Sequence, residues 1–286
     1  MADSKPEVAI TVRCDLGEGP AWDARRDELL WVDILGESVY VYPPDAGTVT
    51  RMPVGQPIGA IVPRAAGGYA AAVRDGFAYL DDGGRLTMAA PVENDMPASR
   101  MNDGKCDRRG RFWAGTMATG HGPGAGSLYR LDADGSVTRM LGDVTVSNGL
   151  GWSPDGQTMY YTDSDTNGVD ALDFDEATGE VSNRRRLIDV EPERGLPDGL
   201  AVDEEGYLWV ALYDGAAVRR YSPGGKLDDV LQLPVSLVTS CAFGGTDLRD
   251  LYITTAADRQ PHETLAGALF VCRPGVAGLA CDSYAG

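Results

Sequence analysis

With 286 residues, 43% of them hydrophobic and 24% charged, the chain is long enough to bury a sizeable core within one large unit. Its formal net charge of −18 creates a field that repels phosphate backbones and anionic headgroups, which argues against nucleic acid and membranes as partners. Its 37 glycines and 17 prolines suit many tight turns rather than long helices.

The opening residues, MADSKPEVAI, hold no apolar run of the signal-peptide kind, and no later stretch is apolar for long enough to span a bilayer. The expectation is a soluble, cytoplasmic protein. The first strand signal, VAITVR, stands apart from the later ones. Then come six apolar strand signals: DELLWVDI around Trp31, GGYAAAVRDGFAYLD around Ala71, and DRRGRFWAGTM around Trp113. SPDGQTMYYTDS around Tyr160, DEEGYLWVALYDG around Trp209 and GGTDLRDLYITTA around Tyr252 complete the series. The steps are roughly 40–50 residues, the period of a four-stranded propeller blade. Turns of the D-x-x-G kind precede several of these strands, and strands such as AVRRYSP or SLYRLDAD follow, which is hairpin grammar in series. No long stretch shows apolar residues at helical spacing between caps, and DEATGE reads as a turn between strands. The expected fold is an all-β, six-bladed propeller with residues 1–286 as one domain, and VAITVR would supply the outer strand that closes the last blade.

Five cysteines, Cys14, Cys106, Cys241, Cys272 and Cys281, form neither a disulfide framework nor a CxxC pair. Cys272 and Cys281 lie near enough in sequence to pair, but free thiols are expected.

Two stretches echo each other. SNGLGWSPDG, Ser147 to Gly156, and LPDGLAVDEEG, Leu196 to Gly206, each set a polar oxygen donor, Asn148 or Asp198, directly before Gly-Leu. In a propeller the innermost strands surround an axial channel, so equivalent residues of different blades converge there. Asn148 and Asp198 are expected to face each other across it. LGEGPAW adds Glu18, and SRMNDGKCD adds Arg100, Asn102 and Asp103, at corresponding points. Carboxylates and amide oxygens suit a hard divalent cation such as calcium, magnesium or manganese; zinc is less natural without His or Cys ligands. The bland reading is that each Asn or Asp before Gly shapes a turn through its own backbone. The coincidence at several blades favours a site. With only His121 and His262 available, both read as loop residues, a His-rich zinc centre or a Ser-His-Asp triad is hard to build.

LGEGPAW, RMNDGKCDRRGRFWAGTM, VSNGLGWSPDGQTMYYTDS, LPDGLAVDEEGYLWVA and TSCAFGG, in that order, resemble the hallmarks of the SMP-30/gluconolactonase/LRE family of regucalcin-like proteins. The resemblance implies a six-bladed propeller with one divalent cation in its channel, calcium before zinc, magnesium or manganese. By motif position it implies Glu18, Asn148 and Asp198 as metal ligands, Arg100 and Asn102 as substrate contacts, and Asp198 as general base. The implied reaction is hydrolysis of a small, sugar-derived lactone, with the protein a monomer or weak homo-oligomer. Alternatives are a calcium-binding propeller without catalysis, and a metal-dependent hydrolase or tailoring enzyme for another ester. Two departures from the family pattern are expected to lie near the substrate. Thr119 stands where some members carry a sugar-binding acid, before the glycine-rich loop GHGPGAG, and Met101 stands where others often have an aromatic or another apolar residue.

Overall fold

The computed structural model describes residues 5–120, 122–258 and 260–286; His121 lies outside them. Six four-stranded antiparallel sheets form a ring, the six-bladed β-propeller that the spacing of apolar strands predicts. The first strand, β1 (Glu7–Ile10), belongs to the last blade. Blade one is β2 (Gly17–Asp23), β3 (Glu28–Asp33), β4 (Ser38–Tyr42) and β5 (Thr50–Pro53). Blade two is β6 (Ile58–Pro63), β7 (Tyr69–Val73), β8 (Gly76–Leu80) and β9 (Leu86–Pro91). Blade three is β10 (Ser99–Cys106), β11 (Phe112–Ala118), β12 (Gly126–Leu131) and β13 (Val137–Val144). Blade four is β14 (Ser147–Trp152), β15 (Thr158–Asp163), β16 (Gly168–Asp175) and β17 (Glu180–Asp189). Blade five is β18 (Leu196–Val202), β19 (Leu208–Tyr213), β20 (Ala217–Tyr221) and β21 (Leu227–Gln232). Blade six joins β22 (Val238–Gly244), β23 (Asp250–Thr255) and β24 (Leu269–Cys272) to β1 on its outer edge, with Glu7 opposite Val271 and Val8 opposite Phe270. The N-terminal strand therefore closes the ring, as VAITVR suggests.

The six aromatic or alanine-rich signals of the sequence are the second strands of the blades, β3, β7, β11, β15, β19 and β23. They lie between two covered faces, so they read as nearly continuous apolar runs, whereas the outer strands β5, β9, β13, β17 and β21 are largely exposed. Apolar side chains fill the gap between each pair of neighbouring blades. Trp113 and Tyr161 pack in one such gap, Trp209 and Phe243 in another, and Trp31 and Tyr252 in the one where blade six meets blade one. All five cysteines are free thiols, and Cys106 and Cys241 are packing residues.

Each innermost strand carries a register shift against its neighbour. In β14 the pairing passes from Ser147–Asp163 to Leu150–Tyr161, and in β18 from Pro197–Leu212 to Leu200–Val210. One residue more is used on the inner strand, which is a β-bulge. Bulges bend a strand and re-aim its side chains. The same shift falls at Glu18–Ala21 in β2 and at Met101–Gly104 in β10.

Inner strands all run from one face of the ring, here the upper, to the other. The turns from first to second strand lie on the lower face, where aspartates staple them. Asp107 accepts the amides of Arg109 and Arg111, the Arg111 Nε and the Trp113 indole. Asp203 accepts the amides of Glu205 and Tyr207, the Trp209 indole and the Arg220 guanidinium. The C-terminal segment crosses this face. Leu279 N bonds Val202 O, Gly278 N bonds Leu248 O, Ala65 N bonds Tyr284 O, and Ala285 N bonds Gly110 O. Tyr284 is fully buried between blades two and three, and its hydroxyl donates to Asp132 O. The tail covers the lower mouth of the channel and leaves the upper one for access. Among the described residues no helix is long and apolar enough to cross a membrane.

Candidate metal centre and its cavity

A cavity of about 270 Å³ opens at the upper end of the channel. Its wall brings together all six residues singled out from the sequence: Glu18 from β2, Arg100 and Asn102 from β10, Thr119 after β11, Asn148 from β14 and Asp198 from β18. Glu18, Asn102, Asn148 and Asp198 sit on the bulges of their strands, which turn them toward the axis. Asn148 and Asp198 do not oppose each other. They come from consecutive blades and are neighbours, while Glu18, from blade one, lies across the ring.

The glycines that follow two of these donors are packing requirements. A Cβ on Gly149 would stand 2.6 Å from Asp198 O, and one on Gly199 would collide with Ser240 Oγ and stand 2.8 Å from its Cα. The N-G-L and D-G-L steps therefore mark where adjacent inner strands meet backbone to backbone.

A chain of hydrogen bonds orients the amides. Arg100 Nη1 donates to Asn102 Oδ1 at 2.6 Å and to Met101 O at 3.1 Å. Asn102 Nδ2 donates to Ser147 O and, at 3.2 Å, to Asn148 Oδ1. Asn148 Nδ2 donates to Ser164 Oγ, which donates to Pro197 O. With its nitrogen held by Ser164, Asn148 turns its oxygen to the side where Asn102 and the carboxylates converge.

The carboxylates are under electrostatic pressure. Burial and then repulsion from Asp103 raise Glu18 from its ordinary 4.5 to about 8, against the Gly19 amide and Arg100. Asp198 is pushed well above the carboxylate range by burial, then by Glu18 and Asp103, with the Gly199 amide and Arg100 pulling back. Burial also raises Asp103, which Lys105 and the Gly104 amide partly offset. Burial lowers Arg100 to about 10, despite Glu18 and Asp198. Among the described residues, Asp198 Oδ1 is buried with no hydrogen-bond partner.

A divalent cation fits this environment. An orphaned carboxylate oxygen, a second buried carboxylate and an oriented amide oxygen are hard donors, and their repulsion is what a positive charge would relieve. Among the described residues no three or more His, Cys, Asp or Glu side chains are arranged to hold a metal. The donor set must therefore include an amide.

Sequence reasoning undervalued Asp103 and passed over Lys105, whose ammonium donates to Leu200 O across the channel. The spacing D-x-K in NDGKCD was the available signal. Met101 is placed differently from expectation. Strand alternation turns it away from the cavity into the core between blades two and three, at 1% exposure. It does not meet the substrate region. Thr119 is exposed at the rim, with its hydroxyl donated to Ala98 O. His262 does not line the cavity.

Fold and site together define a class: a six-bladed propeller with a one-mouthed axial cavity floored by buried carboxylates. The SMP-30/Gluconolactonase/LRE-like region matches residues 16–257. Regucalcin of Xenopus laevis is 40% identical over 301 residues, covering 100% of both chains. A luciferin-regenerating enzyme has the same architecture at a TM-score of 0.91 and 33% identity, covering 98% of this chain and 99% of that one. A calcium-binding protein, regucalcin, from Agrobacterium tumefaciens superposes with a TM-score of 0.94 at 29% identity, covering 98% and 97%. The chain belongs to the SMP-30/gluconolactonase/LRE-like family.

Proposed function

We propose that the protein is a metal-dependent lactonase that hydrolyses a small lactone, sugar-derived (an aldonolactone) or related to one. The observation that carries this reading is the unpartnered, buried Asp198 Oδ1 beside Glu18 and Asp103 at the closed end of a cavity with a single mouth. Such a group costs stability unless it has a use.

Glu18, Asn148 and Asp198 would hold the cation, calcium by preference, which when bound would polarise the lactone carbonyl as a Lewis acid. Asp198 is also the base. Its surroundings make the carboxylate a strong proton acceptor, and it takes the proton of the attacking water and returns it to the departing ring oxygen. Help of this kind is worth roughly 10²–10⁴-fold. Arg100 is the one cationic side chain among the described residues of the cavity wall, and Asn102 fixes it in place. It orients the carbonyl end of the substrate and stabilises developing negative charge. Water attacks directly, so no activated serine or cysteine is required. The cavity wall contains neither cysteine nor histidine among the described residues.

The test is acid release in a pH-stat from aldonolactones and other lactones, with chelated protein and with added Ca²⁺, Mg²⁺, Mn²⁺ or Zn²⁺. Turnover that requires one of these ions supports the reading, and full turnover in excess chelator excludes it. The likeness to a calcium-binding protein supports a second reading, cation binding without catalysis. Calcium uptake with no acid release across the panel would favour it.

A further inference from the structure

The wall of the cavity is layered. Leu16 stands two residues before Glu18, Val146 two before Asn148, and Leu196 two before Asp198. Side chains two apart on a strand share a face, about 6.6 Å apart along it. All six residues line the same cavity, so three of the four donor-bearing strands set an apolar side chain directly above the donor, on the path to the mouth. The fourth strand sets Arg100 above Asn102. Met117 continues the apolar layer beside Val146, to which it is bridged, and Leu35 stands at the mouth with 52% of its surface in water.

The hydroxyl groups of this wall are already committed. Thr119 donates to Ala98 O and Ser164 to Pro197 O. The rim carries Asp165 and Asp258 rather than further cations. A polyhydroxylated ring seated with its carbonyl on the donor layer would turn its outer hydroxyls toward leucine and valine, and an anionic substituent would meet carboxylates. An uncharged apolar chain would be covered.

We infer that the cavity selects an uncharged lactone bearing an apolar substituent on the ring carbon remote from the carbonyl, with that substituent lying against Leu16, Val146, Leu196 and Leu35. The inference rests on the lactonase reading and names its substrate class. Apolar contact of this kind is worth roughly fourfold per covered methylene.

The experiment compares kcat/KM on δ-valerolactone, its 6-alkyl homologues from methyl to pentyl, and glucono-δ-lactone, using the full chain with the activating metal. The expected result is a rise of roughly fourfold per methylene until the mouth is reached. The pentyl homologue should then exceed the sugar lactone by at least tenfold. Leu196→Ser is expected to flatten the chain-length slope. A sugar lactone turned over as well as the pentyl homologue, or a slope of zero, overturns the inference and leaves the lactonase reading standing. If no lactone is hydrolysed under any metal, the lactonase reading fails separately. Calorimetric binding of the matching δ-lactams to the calcium-loaded protein then decides the apolar layer: affinity rising with chain length supports it, and affinity independent of chain length overturns it.

Discussion

One strand carries two aspartates with opposite fates. Asp198, near the upper end of β18, is buried with an oxygen that has no partner among the described residues, and its proton affinity is raised by burial and by Glu18. Asp203, just past the lower end, is equally buried but spends its oxygens on two backbone amides, an indole and a guanidinium. The lower face repeats this arrangement at Asp107. Residue type alone therefore says little. A satisfied carboxylate holds a turn, and an unsatisfied one in a cavity is available for chemistry. The bulges separate the two roles, because they free the upper end of each inner strand from regular pairing while the lower end remains tied.

The contrast breaks most sharply by substitution. Asp198→Ala is expected to lower kcat by roughly 10²–10⁴-fold and to abolish tight cation binding. Its chelated form should melt no lower than the chelated parent, because a repelled carboxylate has been removed. Steady-state kinetics with calorimetric metal titration and thermal melts check all three, and a large drop in melting temperature would make Asp198 a structural residue. Asp203→Ala should do the reverse. Losing the partner of Arg220 and of three buried N–H groups is expected to cost about 3–5 kcal/mol, read from urea unfolding. The folded fraction should keep its kcat and metal affinity.

The ring of blades was legible because its signals are repeated and local. Apolar second strands and aspartate turns recur at one period, and Trp31, Trp113 and Trp209 each stand in a covered strand. Much of the cavity was legible for the same reason: equivalent points of different blades must converge. Neighbour relations across the channel were not, since the donors' order around the ring depends on which blades hold them. Bulges are also invisible in a single strand, because they are a mismatch of count between two strands. The side on which Met101 lies was available from parity with Arg100 and Asn102, and so was the apolar layer above the donors. The lower cap is used once, so the segment ending in Tyr284 offers no repeat to recognise.

That cap gives a smaller test of the same contrast. Tyr284→Phe removes the hydroxyl that donates to Asp132 O at 2.9 Å and leaves the ring in its core. The expected loss is about 1 kcal/mol, or roughly 2–4 °C in melting temperature, with kinetics unchanged. A change in metal affinity would mean that the lower cap and the upper site are coupled through the inner strands.

The finest discrimination comes from pH. Glu18 rises from an ordinary 4.5 to about 8 in the folded chain, and Asp198 and Asp103 move in the same direction. Between those two values the unfolded chain has released protons that the folded chain retains, so the folded state binds more protons and stability must fall as pH rises through this window. Chelated protein is therefore expected to lose melting temperature between about pH 5 and pH 8, beyond what Asp198→Asn loses over the same range. The comparison with the variant matters, because the net charge of −18 gives every form some loss with rising pH. Calcium needs the ionised carboxylates. Its affinity should climb and protons should be released on binding across this range, while saturating calcium at about 100 Kd restores roughly 2.7 kcal/mol. Parallel pH slopes for parent and variant in chelator would mean that the upper carboxylates are as well satisfied as the lower ones.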